Sequence, residues 1–317
     1  MTVTVVPPTL DARPALLAEV GTSDAAAPSP LPLPDPAIGS LSPSRAADFK
    51  TCPLLYRLRS IDRLPEAPSA AATRGTVVHA VLEQLFNLPA AQRTVVAAQQ
   101  LVQPEWDRLR DLEPTLNELF EAGVESPEAI EWLDSARRLV ANYFRLEDPT
   151  RLEPAGREER VEVVVDGLRL RGYVDRIDVS AAGDIRVVDY KTGATPREAF
   201  EGKALFQMKF YALVLWRTRG VVPRQLRLIY LADCETLSYA PEAAELERFE
   251  RTLRAIWAAI GRCTDAREFL PNPSRMCDWC DHHALCPAKG GQPPPYPEDS
   301  AGPEHVDRRG APTAPGS

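Results

Sequence analysis

The spacing of hydrophobic residues changes at Arg157, and this change limits the folds open to the chain. Upstream, helical periodicity runs through residues 45–60, 74–88, 92–110 and 126–146. Downstream, apolar residues alternate with polar ones along residues 161–165, 168–177 and 185–188. Asp-Gly and Ala-Gly pairs separate these three segments. The sequence therefore predicts a mainly helical region, 41–150, followed by a three-stranded antiparallel meander.

After the meander, helical and extended patterns alternate. The sequence predicts a helix at 202–219, a strand at 226–231, a short strand at 236–239 and a long helix at 241–262. We therefore expect an α/β fold in which helices flank a small mixed sheet.

Proline marks the expected limits of the folded part. Of 31 prolines, 15 fall in residues 1–38 and 288–317, which we predict to be disordered tails around a domain spanning 39–287. No apolar run reaches about 18 residues, which excludes a membrane span and leads us to expect a cytoplasmic protein. The net charge of −8 argues against a basic surface that coats nucleic acid, although basic residues can still line a channel.

Two acids and one lysine form the first candidate site. Asp189 and Lys191 flank Tyr190 at the end of the third strand, and the period of two directs both side chains to one face. Asp175 comes close if the second and third strands pair antiparallel. Neighbouring carboxylates suit Mg²⁺ or Mn²⁺, and Lys191 would orient water or stabilise charge on a phosphate. The alternative is an exposed ion pair worth about 0–1 kcal/mol.

Four segments of the chain resemble one enzyme family. They are Gly75-Thr-Val-Val-His79, Gly172-Tyr-Val-Asp-Arg-Ile-Asp178, Asp189-Tyr-Lys-Thr-Gly193 and Gln207-Met-Lys-Phe-Tyr211. Together they resemble the RecB-type exonucleases of the PD-(D/E)xK superfamily, over residues 41–287. This resemblance implies a restriction-endonuclease-like core with a helical N-terminal region and a Cys-rich segment at 271–287.

The resemblance also implies roles for individual residues. His79, Asp175 and Asp189 would bind the metal, with the Tyr190 carbonyl as a further ligand, and Lys191 would be the catalytic lysine. Gln207 and Tyr211 would contact DNA or position the site. Without the resemblance, His79 fits a core histidine better, and Tyr211 fits core packing equally well. Candidate phosphate contacts are Arg176, Arg45, Lys50, Arg57 and Arg74.

Cysteines form the second candidate site. Cys277, Cys280 and Cys286 lie within ten residues and need a fourth ligand, for which Cys52 is the candidate. This arrangement resembles the [4Fe–4S] staple of AddB-type and CRISPR-associated members. Zn²⁺ is the alternative, with His282 or His283 able to replace one cysteine. Cys234 and Cys263 are predicted to be small buried residues.

These observations predict a Mg²⁺- or Mn²⁺-dependent hydrolase, an exonuclease acting on single-stranded DNA or duplex ends in DNA repair or processing. The chain has no Gly-x-x-x-x-Gly-Lys-Ser/Thr segment, so any unwinding would need a separate helicase. The alternative is a non-catalytic DNA-binding or assembly subunit of a helicase–nuclease complex that retains the fold.

Overall fold

One mixed sheet organises the chain, in a computed structural model that describes residues 39–195 and 201–297. The predicted tail 1–38 lies outside the described residues. The strands are β1 (Ser40–Leu41), β2 (Gly156–Val165), β3 (Leu168–Val179), β4 (Ile185–Lys191), β5 (Gln225–Tyr230) and β6 (Glu235–Tyr239). Their order is β1-β3-β4-β5-β6, and β2 also pairs with β3. The predicted α/β class with a small mixed sheet is confirmed.

Helices cover both faces of this sheet. They are α1 (Pro43–Thr51), α2 (Pro53–Tyr56), α3 (Ala70–Leu85), α4 (Val95–Gln100), α5 (Val102–Leu112), α6 (Pro127–Leu146), α7 (Glu201–Arg219) and α8 (Ala243–Asp265). One buried cluster joins α7 and α8 to the sheet, and a second joins α3, α5 and α6 to the other side.

The first predicted helix is divided at Cys52. Ser42 caps α1 by accepting a hydrogen bond from the Arg45 amide at 3.2 Å, and Pro43 occupies the first turn. Cys52 then adopts an extended conformation with φ −161°, and Pro53 begins α2. Proline cannot donate to the preceding turn. The break places the Cys52 side chain between two helices.

The predicted meander is present. Strands β2 and β3 pair antiparallel from Gly156↔Ile177 to Val165↔Leu168. Strands β3 and β4 pair antiparallel over four residue pairs, from Val179↔Ile185 to Arg176↔Val188. Strand β5 lies parallel to β4, and α7 precedes it in the chain. This order brings the end of β4 beside α7.

A glycine in β3 allows α7 to approach the sheet closely. A Cβ atom at Gly172 would lie 2.7 Å from Cε1 of the Tyr211 ring. Because Tyr211 is buried, its ring has little room to move. Gly172 therefore sets the distance between β3 and the helix that carries Gln207 and Tyr211.

The folded part extends beyond the predicted boundary at residue 287. The Arg57 guanidinium donates a hydrogen bond to the Pro294 carbonyl. Tyr296 stacks on Phe269, with ring centroids 6.2 Å apart. Residues 288–297 thus pack on the domain, and the remainder of the predicted C-terminal tail, 298–317, lies outside the described residues.

We expect Gly172→Ala to lower the free energy of unfolding by about 1–3 kcal/mol, because the added methyl group overlaps the Tyr211 ring. Gly202→Ala is the matched control, since nothing lies within 4 Å of a Cβ at this helical position. We expect it to be neutral or to stabilise by up to about 1 kcal/mol. Urea unfolding of both variants measures the difference, and equal stability would contradict the close approach.

Candidate active site

The end of β4 carries the acid and the lysine of the first candidate site. Lys191 Nζ lies 2.7 Å from Asp189 Oδ2, as the period of two predicted. Gln207 of α7 joins both groups: its Oε1 accepts from Lys191 at 2.9 Å, and its Nε2 donates to Asp189 Oδ1 at 2.8 Å. Asp189 is 1% exposed. Lysine, amide and carboxylate therefore hold one another in a fixed arrangement.

Asp175 lies where the pairing of β3 with β4 ends. The last pair is Arg176↔Val188, so the next position in the same register would set Asp175 opposite Asp189. Instead, the Tyr190 amide donates to Asp175 Oδ2 at 2.6 Å. Burial raises the pKa of Asp175 to about 7, and the neighbouring charge of Asp189 adds to this effect. This hydrogen bond holds the Asp175 side chain beside the residue that follows Asp189.

His79 faces these acids from α3. Its Nε2 lies 3.0 Å from the Tyr190 carbonyl oxygen, and its Nδ1 lies 3.5 Å from Asp175 Oδ2. Burial lowers the pKa of His79, but the charge of Asp175 and the hydrogen bond with Glu158 outweigh burial and raise the pKa to about 9. The imidazole is thus part of the acidic site and does not lie in the apolar core.

Sequence reasoning missed Glu158. Its Oε1 lies 3.6 Å from His79 Nδ1, although Glu158 belongs to the charged run Gly156-Arg-Glu-Glu-Arg160, which is typical of a solvated strand. Its φ of 42° departs from strand geometry. No spacing rule marks this residue, because its place in the site depends on the local backbone of β2.

These side chains suit a divalent cation. Ligand atoms of His79, Glu158 and Asp175 lie within 4.8 Å of one another. Carboxylate oxygens with one imidazole nitrogen are ordinary ligands for Mn²⁺ and acceptable ones for Mg²⁺. Among the described side chains, no lysine or arginine pairs with Glu158 or Asp175. His79 is the partner of both carboxylates in the metal-free site, and a divalent cation could replace its proton there.

Arg176 does not serve the predicted role of phosphate contact. It is 1% exposed, and its guanidinium donates to both carboxylate oxygens of Glu147, at 2.7 and 3.0 Å. It also donates to the Tyr190 hydroxyl at 2.7 Å. A buried guanidinium with these partners cannot reach DNA. Arg176 instead supports β4 from the side opposite Asp189.

The other basic candidates also have partners within the chain. Arg57 is buried and pairs with Asp62 at 3.0 Å, which excludes it as a phosphate contact. Lys50 lies over the Phe206 ring, Arg74 donates to Ser135, and Arg45 donates to Ser40.

Tyr211 lies inside the domain. It is 6% exposed, and its hydroxyl accepts a hydrogen bond from Gln207 Nε2 at 3.2 Å. Tyr211 thus contacts the side chain that joins Lys191 and Asp189, and burial of Tyr211 removes it as a DNA contact.

The four predicted cysteine ligands line one cavity. Cys52, Cys277, Cys280 and Cys286 surround a space of about 270 Å³. The Asn272 amide donates to Cys52 Sγ and the Ser274 amide to Cys277 Sγ, each at 3.3 Å. Such amide–sulfur hydrogen bonds stabilise thiolates.

His282 and His283 line the same cavity as the four cysteines. His282 Nε2 lies 2.9 Å from Glu66, and His283 Nε2 contacts the Cys277 carbonyl. Both imidazoles thus already have a partner on Nε2. Cys234 and Cys263 are half-buried, so the prediction that they are buried was wrong.

The mixed sheet carries Asp175 within β3 and carries Asp189 and Lys191 at the end of the adjacent strand β4, an arrangement that fits a nuclease fold. The profile of the PD-(D/E)XK nuclease superfamily matches residues 40–287. The chain belongs to this superfamily, whose members generally use divalent metal ions.

Individual relatives are more distant. The gene 69 protein of Mycobacterium phage D29 is 26% identical over 275 residues, which cover 78% of this chain and 96% of the phage protein. Its counterpart in Mycobacterium phage L5 is 25% identical over 288 residues, covering 78% and 95%. A shorter match, 32% over 83 residues, covers 26% of this chain and 8% of one of the subunits of the ATP-dependent helicase/deoxyribonuclease of Streptococcus agalactiae.

A solved structure shares the fold. The crystal structure of a provisionally assigned exonuclease from Eubacterium rectale aligns with a TM-score of 0.50 at 13% identity. The alignment covers 77% of this chain and 88% of that protein. Separately, none of the helices in the described part of the chain is long and apolar enough to span a membrane.

We expect Arg176→Met to lower the free energy of unfolding by about 3–5 kcal/mol, because Glu147 would lose a buried partner. Arg224→Met is the control, since the Arg224 side chain is 77% exposed, and we expect a change within about 0.5 kcal/mol. Urea unfolding followed by circular dichroism measures both. Wild-type stability of Arg176→Met would contradict a structural role.

Proposed function

We propose that the protein is a metal-dependent DNA nuclease of the RecB type, an exonuclease that hydrolyses single-stranded DNA or duplex ends. One observation carries this proposal: the contact of Lys191 with Asp189 at 2.7 Å, beside Asp175 and His79. Superfamily membership supports it. This combination is the one that phosphodiester hydrolysis requires, with a cation site and a positively charged side chain side by side.

Each group has a defined task in this proposal. His79, Asp175 and Asp189 hold Mg²⁺ or Mn²⁺, with the Tyr190 carbonyl next to His79 Nε2 as a further candidate ligand. When bound, the cation supplies positive charge for the phosphate and makes water more acidic. Lys191 orients the attacking water or donates to the phosphate oxygens as negative charge develops. Gln207 keeps the Lys191 ammonium directed at the site.

We expect Lys191→Ala to reduce DNA hydrolysis at least about 100-fold, because the site would lose the cationic side chain that contacts Asp189. The assay uses end-labelled single-stranded, linear duplex and closed circular DNA with Mn²⁺. Lys209→Ala is the matched control. Lys209 lies in α7 and pairs with Glu245 at 2.6 Å, away from Asp189, so we expect full activity from this variant.

The three substrates separate the possible outcomes. Loss of linear DNA with the circle spared identifies an exonuclease, and cleavage of the circle identifies an endonuclease. If the wild type leaves every substrate intact and still binds DNA, the protein is a non-catalytic DNA-binding or assembly subunit.

We further propose that Cys52, Cys277, Cys280 and Cys286 hold a [4Fe–4S] cluster with a structural role. Their common cavity and the amide hydrogen bonds to two of the sulfurs support this assignment. Four thiolates suit zinc as well as iron. His282 and His283 also line this cavity, but the Nε2 contacts with Glu66 and with the Cys277 carbonyl favour cysteines as the ligands.

We expect anaerobically purified protein to be brown and to contain iron and acid-labile sulfide. Cys280→Ser should lose both, because it removes one proposed ligand, whereas Cys234→Ser should retain them, because Cys234 lies outside the cavity lining. Visible absorbance with iron, sulfide and zinc analysis makes the distinction. Colourless protein that contains zinc would overturn the iron–sulfur assignment.

The place of this nuclease in DNA repair or processing depends on which protein supplies single strands. The chain lacks a P-loop, and the short match with part of an ATP-dependent helicase/deoxyribonuclease supports a separate helicase as partner. We propose DNA as the substrate and such a helicase as the assisting protein, acting in the cytoplasm.

A further inference from the structure

We propose that Glu158 is an additional ligand of the divalent cation, so that β2 contributes to the metal site together with β3, β4 and α3. This inference rests on the proposed metal-dependent nuclease and extends its ligand set beyond the residues implied by the superfamily motifs. Four observations support it: the strand register, the backbone conformation of Glu158, the orientation of His79 and the balance of charge.

The strand register places three acids in one row. Strand β2 pairs Arg157 with Arg176 and Glu159 with Val174, and it omits the intervening pair of Glu158 and Asp175. On the other side of β3, Asp175 is likewise the position opposite Asp189 where the ladder ends. Neighbouring strands lie about 4.8 Å apart. Asp175 is therefore flanked by an acid on each side, at the row where regular pairing stops.

The backbone of Glu158 is held in an unfavourable conformation. Its φ of 42° lies in the left-handed region, which costs a residue with a side chain about 1–2 kcal/mol. Glycine would adopt this conformation without that cost. A glutamate at such a position is consistent with a requirement for its carboxylate, since strained residues concentrate at functional sites.

The orientation of His79 leaves one nitrogen for the acids. A carbonyl oxygen can only accept, so the 3.0 Å contact with the Tyr190 oxygen requires Nε2 to carry the hydrogen. Nδ1 then lies 3.6 Å from Glu158 Oε1 and 3.5 Å from Asp175 Oδ2. A proton on Nδ1 serves both carboxylates in the metal-free site, and a divalent cation can take the place of that proton with Nδ1 and the two carboxylates as ligands.

The balance of charge favours the same conclusion. Lys191 pairs with Asp189, whereas Glu158 and Asp175 share one partner, His79, and no described lysine or arginine side chain pairs with either acid. The acids Glu158, Asp175 and Asp189 thus outnumber the basic side chains His79 and Lys191, and a divalent cation would neutralise the remaining negative charge. By contrast, the adjacent Glu159 pairs with Arg219 at 2.6 Å and has its own counter-charge.

The test compares Glu158→Gln with Glu159→Gln in the full-length, metal-free protein. Both side chains are 33% exposed, so the pair is matched for burial. Mn²⁺ binding is measured by isothermal titration calorimetry, and melting temperatures are measured with and without Mn²⁺. We expect Glu158→Gln to weaken Mn²⁺ binding at least about tenfold and Glu159→Gln to leave it unchanged.

A second readout separates ligation from a structural role. Glu158→Gln removes both the repulsion with Asp175 and the contact with His79, so the melting temperature of the metal-free protein should change little while its shift on adding Mn²⁺ becomes smaller. Glu158→Gly should behave in the same direction, because it also relieves the positive φ. A general packing role would instead lower the melting temperature of the metal-free variants.

The outcomes distinguish this inference from the proposed function. Wild-type Mn²⁺ affinity in both Glu158→Gln and Glu158→Gly would overturn the ligand role of Glu158 and leave the metal-dependent nuclease intact. Absence of Mn²⁺ binding by the wild-type protein would overturn both.

Discussion

The hydrogen bond from the Tyr190 amide to the Asp175 carboxylate is the contact on which the site depends. In a regular ladder, main-chain carbonyls accept the hydrogen bonds of the amides that face a neighbouring strand. Here a side chain takes that place at 2.6 Å, where β3 and β4 stop pairing. This side-chain hydrogen bond gives the Tyr190 amide an acceptor and holds the Asp175 carboxylate beside the residue that follows Asp189. Loss of this hydrogen bond would leave the Asp175 side chain free to move away from the end of β4.

The alternation of β4 divides the work between its two faces. Asp189 and Lys191 lie on the side of Gln207, whereas the Tyr190 ring is buried in the other core cluster. There the Tyr190 hydroxyl meets Arg176, which Glu147 holds with two hydrogen bonds. A buried guanidinium with a bidentate partner is rigid. The chemistry on one face is thus supported by a polar network on the other.

Much of this arrangement follows from the sequence, because it depends on periodicity and local spacing. The meander, the crossover through α7 and the meeting of Asp175 with Asp189 all come from period-two and helical patterns. The rest depends on a departure from regular structure. Val174 and Ile177 both belong to the same core cluster, although a regular strand would send them to opposite faces.

That irregularity explains the errors of the sequence-based reasoning. A shift of facing between Val174 and Ile177 places Arg176 against Tyr143 and Tyr190 of the second core cluster. An arginine within a nuclease motif suggests a phosphate contact, but this one is a buried support. Glu158 occupies the position of β2 opposite Asp175, and no residue pattern predicts its left-handed backbone. Strand propensity and alternation predict regular strands. They do not predict the side-chain directions near Asp175, where the pairing of β3 with both neighbouring strands is interrupted.

The acidic site and the cysteine cavity have opposite expected effects on the stability of the fold. Like charges close together oppose folding, and the cation that would neutralise them binds only the folded chain. The cysteine cavity lies between α1 and the last turns of the domain, where the Asn272 amide reaches Cys52 across 220 residues of sequence. A cluster held there would close almost the whole domain into one loop, and a cross-link that closes a loop of this length stabilises by about 5–6 kcal/mol in the chain-entropy model. This stabilisation would offset the repulsion between the carboxylates of the acidic site.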